Sequence, residues 1–359
     1  MNKDSVMALL AEIEDDNCGR DLVAAESVRS VGVHDDRVNV DIRVGYPLAD
    51  AGAGLAAAVK ARLEKEPDIT EANVHVECKI VAHKVQGELE PLSGIANVIA
   101  VGSGKGGVGK STTAINLALA LAREGARVGL LDADIYGPSI PAMLGVRGQP
   151  ETDGEHIIPK RAHGLPVMSI GFLVEEDTPM IWRGPMVTSA LQQLLNDTDW
   201  GQLDYLIIDL PPGTGDIQLT LAQRIPTAGA IIVTTPQDIA LLDARKALNM
   251  FNKVDVPVLG VIENMSTHIC SACGHEEPIF GQGGGSKIAA DFDIPLLGQL
   301  PLAMEIRTAL DEGRPTVAAA PDSELGQRYR EFALRTAGAL AVMPRNMTVK
   351  LPEIVIQNN

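Results

Sequence analysis

Residues 104–111 read Gly-Lys-Gly-Gly-Val-Gly-Lys-Ser, which fits the frame Gly104-x-x-x-x-Gly109-Lys110-Ser111. Glycines at this spacing let backbone N–H groups turn inward around phosphates. A lysine at the position of Lys110 reaches the β- and γ-phosphates, and a hydroxyl at Ser111 sits on Mg²⁺. The expected nucleotide contacts are therefore Gly104, Lys105, Gly106, Gly107, Val108, Gly109, Lys110, Ser111 and Thr112. Gly104, Gly106 and Gly109 also satisfy the dinucleotide pattern G-x-G-x-x-G, with Asp132 at a plausible distance. Lys110-Ser111 argues against that reading, because a pyrophosphate site has no use for a buried ammonium and a metal-ligating hydroxyl. A second lysine, Lys105, stands inside the loop. Either it is a solvated loop residue, or it points out of its own loop to the phosphates of a nucleotide held by a facing subunit. The second arrangement would make hydrolysis depend on dimerisation, as an arginine finger does.

Three acidic positions complete this chemistry. Asp132-Ala133-Asp134 places two carboxylates one residue apart at the end of an apolar run. We assign Asp132 to the Mg²⁺ shell, through water, and Asp134 to the attacking water; spacing alone leaves the two interchangeable. Leu206-Ile207-Ile208-Asp209 ends in the aspartate expected at a second Mg²⁺ position. The Pro211-Pro212-Gly213-Thr214-Gly215 that follows is stiff in its first half and hinged in its second, which suits a segment that senses the γ-phosphate and moves on hydrolysis. Asn264 offers both a donor and an acceptor, as the edge of adenine requires. The catalytic set is thus Lys105, Lys110, Asp134 and Asp209.

His268-Ile269-Cys270-Ser271-Ala272-Cys273-Gly274-His275 carries a C-x-x-C pair. A thioredoxin-like redox role would need the pair at a helix N-terminus in its own βαβ setting. A single-chain zinc knuckle could draw on His268 and His275, although they lie closer to the cysteines than the usual two-lobed spacing. A third reading places Cys270 and Cys273 of two subunits on a two-fold axis, where four thiolates suit a [4Fe–4S] cluster.

The elements that must position these groups follow a repeating pattern. Apolar runs at 97–102, 127–132, 205–209, 229–235 and 256–262 read as strands, and 111–123 reads as a helix with Ala114, Leu117, Ala118 and Leu121 on one face. Continuous apolar strands alternating with helices predict a mostly parallel, doubly wound α/β sheet, with ligands at its carboxyl edge. Residues 1–88 have a different rhythm: a helix over 1–16, strands at 28–33, 38–44 and 73–81, and a helix over 49–65. They form a small α+β domain. A linker at 89–94 separates it from an NTPase domain at 95–345, and 346–359 is a C-terminal tail.

At 359 residues, two domains are expected. A net charge of −17 argues against a broad nucleic-acid face, and 3% aromatics leave few stacking platforms. The chain has no uninterrupted apolar run of about 18 residues and no signal-peptide pattern at its start, so neither membrane nor nucleic acid is an expected partner and the cytoplasm is the expected location. Four cysteines, Cys18, Cys78, Cys270 and Cys273, are too few for a disulfide framework.

Lys105–Thr112 resembles the deviant Walker A box of the family that includes Mrp, MinD, ParA and the nitrogenase iron protein. Ser103–Thr113, Asp132–Pro141, Trp182–Met186, Asp209–Leu221 and His268–Gly284 together resemble Mrp-type (ApbC-type) iron–sulfur cluster carrier ATPases over residues 90–345. Residues 1–88 resemble the small iron–sulfur-assembly domain that precedes the ATPase in many relatives. The resemblance implies a homodimer that binds a labile [4Fe–4S] cluster through Cys270 and Cys273. It further implies slow ATP hydrolysis, base reading by Asn264, and cluster transfer from an assembly scaffold to apo-proteins. Two other classes compete: a MinD/ParA-type positioning ATPase, which would leave the cysteine pair unexplained, and a zinc-stabilised nucleotide-binding scaffold. Cys18 is expected to be a buried or partly exposed thiol without a cluster role.

Overall fold

The computed structural model describes residues 2–49, 51–173 and 184–346. Trp182 and Arg183 of the 182–186 motif, and the tail beyond residue 346, lie outside them. The chain opens with α1 (Lys3–Leu10), β1 (Glu14–Asp15) and β2 (Arg20–Asp21). Next come β3 (Val28–His34), β4 (Arg37–Val44), α2 (Ala51–Leu63) and β5 (Glu71–Cys78). The helix expected over 1–16 stops at Leu10, because Asp15 is used to build a turn. Asp15 Oδ1 accepts the N–H of Asn17 at 3.0 Å, and its Oδ2 accepts the Tyr46 hydroxyl at 2.6 Å. β3, β4 and β5 form one sheet in that order, and β4 turns Val38, Val40, Ile42 and Val44 inward at every second position.

The larger unit continues with β6 (Ile95–Gly102), α3 (Lys110–Arg123), β7 (Val128–Asp132) and α4 (Ile140–Met143). The short strands β8 (Glu151–Thr152), β9 (Ile157–Ile158) and β10 (Lys160–Ala162) precede β11 (Leu165–Ser169) and α5 (Gly184–Asn196). Then follow β12 (Leu203–Asp209), α6 (Asp216–Arg224), β13 (Gly229–Thr234), α7 (Asp238–Lys253) and β14 (Val258–Ile269). The described chain closes with β15 (Glu276–Glu277), α8 (Gly284–Phe292), β16 (Leu296–Leu302), α9 (Met304–Asp311), α10 (Thr316–Ala319) and α11 (Glu324–Ala341).

Nine strands form one sheet in the order β10-β11-β7-β12-β6-β13-β14-β15, with β16 also on β14. Pairings from β11 to β16 are parallel, and β10 and β15 are antiparallel additions. The five expected strands lie at its centre, in the expected doubly wound arrangement. The parallel strands β11 and β16 extend it beyond them. Their sequences, Leu-Pro-Val-Met-Ser and Leu-Leu-Gly-Gln-Leu-Pro-Leu, are interrupted by proline, glycine or glutamine, which hid them. Alternate residues serve opposite faces. Ile99, Val101, Leu130, Ile207, Ile231 and Val233 pack with α3 and α11, whereas Val98, Ala100, Leu131, Leu206, Ile208 and Ile232 pack with α5–α7. No helix among the described residues is long and apolar enough to cross a membrane.

The N-terminal unit shares the first of these cores. One contiguous cluster runs from Val6, Val40 and Ile42 through Ala114 and Ile115 to Phe332 and Leu340. The chain is already fastened before residue 89. Asn97 Oδ1 accepts the His83 N–H at 3.0 Å, and Gln86 Nε2 donates to the carbonyls of Ala222 and Ile225 at 2.8 and 2.6 Å. Gly338 of α11 lies so close to residues 15–19 that an added Cβ would stand 2.1 Å from the Asn17 carbonyl oxygen.

That contact sets two effects against each other. A helix-interior Gly→Ala change gains up to about 1 kcal/mol in propensity, whereas forcing a methyl into a packed seam costs about 1–3 kcal/mol. Gly338→Ala should therefore lower the urea midpoint. Gly54→Ala, at an open position in α2, should raise it by about 0.5–1 kcal/mol equivalent.

Candidate functional site

β6 delivers the chain to Gly102, and the next seven residues wrap back to the start of α3. Gly107 and Gly109 adopt φ values of 80° and 85°, left-handed backbone that glycine enters without strain. Gly104 is constrained differently. An added Cβ there would lie 2.1 Å from the backbone carbon of Asp243, so α7 sits directly on the loop. The Ser103 hydroxyl donates to the Lys105 carbonyl at 3.0 Å, closing the turn. The Lys105 side chain is half-exposed and makes no ion pair among the described residues. Thr112, half-buried in the first turn of α3, completes the loop.

Lys110 is buried at the centre of the site. Its Nζ lies 2.7 Å from Asp209 Oδ1, 3.5 Å from Asp134 Oδ2 and 3.4 Å from Ser111 Oγ. The Ser111 hydroxyl donates to Asp209 Oδ2 at 2.5 Å. Adjacent parallel strands make this meeting possible: Asp209 ends β12, which is paired residue for residue with β6 on one side and β7 on the other. Asp132 ends β7 in register with Asp209.

Asp132 has a different task from its neighbour. Its Oδ1 accepts the Asp134 N–H at 3.1 Å, and its Oδ2 accepts the Ser169 hydroxyl at 2.9 Å and the Ile140 N–H at 3.3 Å. It holds the 133–140 loop in place, and Asp134 is the residue presented to Lys110. Sequence reasoning missed Ser169, because it ends the proline-interrupted β11.

Two carboxylates lie against one ammonium and a third, Asp132, stands in register beside Asp209, and their proton affinities record the imbalance. Burial, followed by the charge of Asp209, pushes Asp132 up to about 8. Burial raises Asp209 and Asp134 as well, with Lys110 pulling both back down. Such a site is short of positive charge. The Ser111 and Asp209 oxygens form an oxygen-only donor set, the kind a hard cation such as Mg²⁺ takes.

The 211–215 segment docks on the loop. The Gly213 N–H donates to the Ser103 carbonyl at 2.9 Å, and Gln218 Nε2 donates to the Pro212 carbonyl at 2.7 Å. Asn264 is buried beneath the loop and donates from Nδ2 to the Val108 carbonyl at 2.8 Å. One of its two amide hydrogens is thus given to the loop rather than to a base.

Asn264 lies on β14, and the same strand leads to the cysteines. His268↔Glu277 and Ile269↔Glu276 pair β14 with β15, leaving 270–275 as the hairpin tip. The tip is closed by Cys270 N–H to His275 O at 2.9 Å and Gly274 N–H to Cys270 O at 2.8 Å, with Gly274 at φ 70°. The backbone N–H groups of Ala272 and Cys273, then the Cys273 thiol, lower the Cys270 pKa, which favours a metal-binding thiolate. Cys270 is half-exposed and Cys273 exposed. His268 faces Glu277, with 3.8 Å between Nδ1 and Oε1. Among the described residues no three His, Cys, Asp or Glu side chains are grouped to hold a metal, so the single-chain knuckle lacks its third ligand. Cys18 is half-buried and donates to Asp15 at 3.4 Å.

Comparison with known proteins agrees with this geometry. Residues 94–337 match the family described as ParA, NUBPL iron-transfer P-loop NTPase, and residues 3–76 match the iron–sulfur cluster assembly protein family. An iron–sulfur cluster carrier protein of Pseudomonas fragi is 57% identical over 76% of this chain and 96% of its own. One from Escherichia coli K12 is 50% identical over 93% of this chain and 91% of its own. Among solved structures, a nucleotide-binding protein from Archaeoglobus fulgidus in complex with ADP superposes with a TM-score of 0.55 at 39% identity, covering 61% of this chain and 87% of that one. On this sequence similarity and this site, the chain belongs to the NUBPL-type family of iron-transfer P-loop NTPases.

Proposed function

We propose that this protein is an ATP-operated homodimeric carrier that takes a labile [4Fe–4S] cluster from an assembly scaffold and passes it to apo-proteins in the cytoplasm. The observation that carries the reading is the hairpin. It presents two thiols, one of them held thiolate-ready, with no third metal-ligating side chain grouped beside them among the described residues, on the strand whose other half touches the phosphate loop. Two copies supply four thiolates, the complement of such a cluster. Ligation by only two residues per chain suits cargo better than a resident group. The segments around the site also carry exposed apolar side chains, namely Tyr136 at 61%, Ile239 at 70%, Leu242 at 60% and Ile279 at 49%, which supports a face covered by a second copy.

In the proposed mechanism the backbone N–H groups of residues 104–112 and the Lys110 ammonium bind the triphosphate, and Asn264 meets the base with its remaining amide hydrogen and its oxygen. Ser111 and Asp209 would hold Mg²⁺, with Asp132 as a further carboxylate of its shell, and the ion would supply the positive charge that these carboxylates call for. Asp134 orients the attacking water and takes its proton. Lys105, whose ammonium makes no ion pair among the described residues, stabilises the transferring phosphoryl group across the dimer. The 211–215 segment, tied to Ser103, shifts when the γ-phosphate leaves.

Anaerobic reconstitution with iron and sulfide tests the cargo. About four irons per dimer, lost in Cys270→Ser/Cys273→Ser, is the expected result; zinc retained per monomer without iron uptake would instead establish a zinc-bearing scaffold. Lys105→Ala should lower kcat on the order of 10³-fold, the lower range for a trans-acting cation, and should lose ATP-dependent dimerisation in sedimentation. Lys110→Ala should abolish turnover. Cluster transfer by that variant at the wild-type rate would show that hydrolysis and transfer are uncoupled.

A further inference from the structure

Strand β14 changes character at one residue. Up to Asn264 it is held on both sides, with Glu263 opposite Thr234 of β13 and Asn264 opposite Leu300 of β16. Beyond Asn264 the β13 pairing ends. The next partner pair with β16 is His268↔Leu302, so β14 advances four residues while β16 advances two. The first residue of this excess, Met265, has φ 55°. A bulky side chain in left-handed backbone is strained, and a strand irregularity of this kind re-aims whatever follows it.

What lies on either side gives the kink its meaning. Immediately before it, Asn264 donates to the Val108 carbonyl of the phosphate loop at 2.8 Å, and an added Cβ on Gly109 would stand 2.1 Å from the same amide nitrogen. Displacement of the loop therefore presses on Asn264 directly. Immediately after it, residues 266–269 lead without interruption into the Cys270 hairpin. The outer arm keeps one strand neighbour through His268↔Leu302 of β16, packs Ile269 on the core, and is tied by Ser266 Oγ to Leu300 O at 3.2 Å and by the ion pair of Arg328 with Glu276 at 3.5 Å. Partly exposed ion pairs are weak. One half of the strand has a neighbour on each side in the sheet, the other has lost β13 and keeps β16 alone of the two, and the strained residue stands between them.

We propose that Met265 is a positioning residue, the hinge through which nucleotide in the phosphate loop sets the placement and accessibility of Cys270 and Cys273 within one subunit. The inference rests on the carrier reading for its purpose, but it requires no cluster. The strained residue gives the arm two discrete placements rather than a continuous range, and contact of Asn264 with the loop selects between them.

The test uses full-length, cluster-free protein. Alkylation of Cys270 and Cys273 by iodoacetamide is followed by peptide mass spectrometry with and without ADP and Mg²⁺, with the exposed Cys78 of β5 as internal reference. The nucleotide should change the rate at the pair on the order of fivefold relative to Cys78, independently of protein concentration. Met265→Gly should bind ADP with wild-type affinity yet bring the ratio to near unity, because glycine frees the backbone on both sides of the left-handed region. Met265→Asn, which tolerates that region, should retain the response. No response in the wild type, a full response in Met265→Gly, loss in a folded Met265→Asn, or a response that vanishes on dilution would each overturn the hinge. Iron uptake is measured separately, so failure of the hinge and failure of the carrier reading are told apart.

Discussion

The contact between Lys110 and Asp209 is the constraint around which the rest is built. A 2.7 Å ion pair with both partners buried is costly to desolvate and tolerable only if its geometry is fixed. The fixing comes from the sheet. Lys110 begins the helix that follows β6, and Asp209 ends β12, so the six ladder pairs between those strands bring the two groups together. Ser111 and Asp134 then add an acceptor, a donor and more negative charge than one ammonium balances. The result is a pocket whose interior chemistry asks for phosphate on one side of the lysine and a divalent cation on the other.

A second consequence of the parallel sheet is that every group with chemical potential arrives at one edge. Asp132, Asp209, Thr234 and Asn264 all stand at or near strand ends on the carboxyl side, and the cysteine hairpin is the overrun of the strand that carries Asn264. β15 and β10, the antiparallel additions, are the exceptions that prolong the sheet. β15 exists only to brace the hairpin, through Ile269↔Glu276 and His268↔Glu277.

Much of this was legible in the residues. Uninterrupted apolar runs marked the five central strands, because a strand covered on both faces has no polar side to show. Type and spacing singled out the loop lysine and serine and the aspartate after three apolar residues, which the fold brings together, whereas the spacing of the cysteine pair left redox, zinc and cluster readings open. What escaped lay in long-range geometry. Proline and glycine broke the runs of β11 and β16. The division of labour between Asp132 and Asp134 depends on Ser169 and Ile140, which approach from elsewhere in the fold. The helix over 1–16 failed after Leu10 because Tyr46, 31 residues beyond Asp15, claims that carboxylate. The Met265 kink has no signature in a sequence that reads as a plain strand ending.

The shared core of the two units changes what the N-terminal segment is. α11 runs beneath it, with Gly338 against Asn17 and Ala341 against Gly45, so this helix of the NTPase unit is also a floor for the first eighty residues. A flexibly hung module could be removed and leave a complete protein behind. Here its removal would strip an apolar strip along α3 and α11 bare to water. The NTPase unit of this chain is therefore a body with one flank walled by its own beginning, and that flank of α3 and α11 is closed to any docking partner.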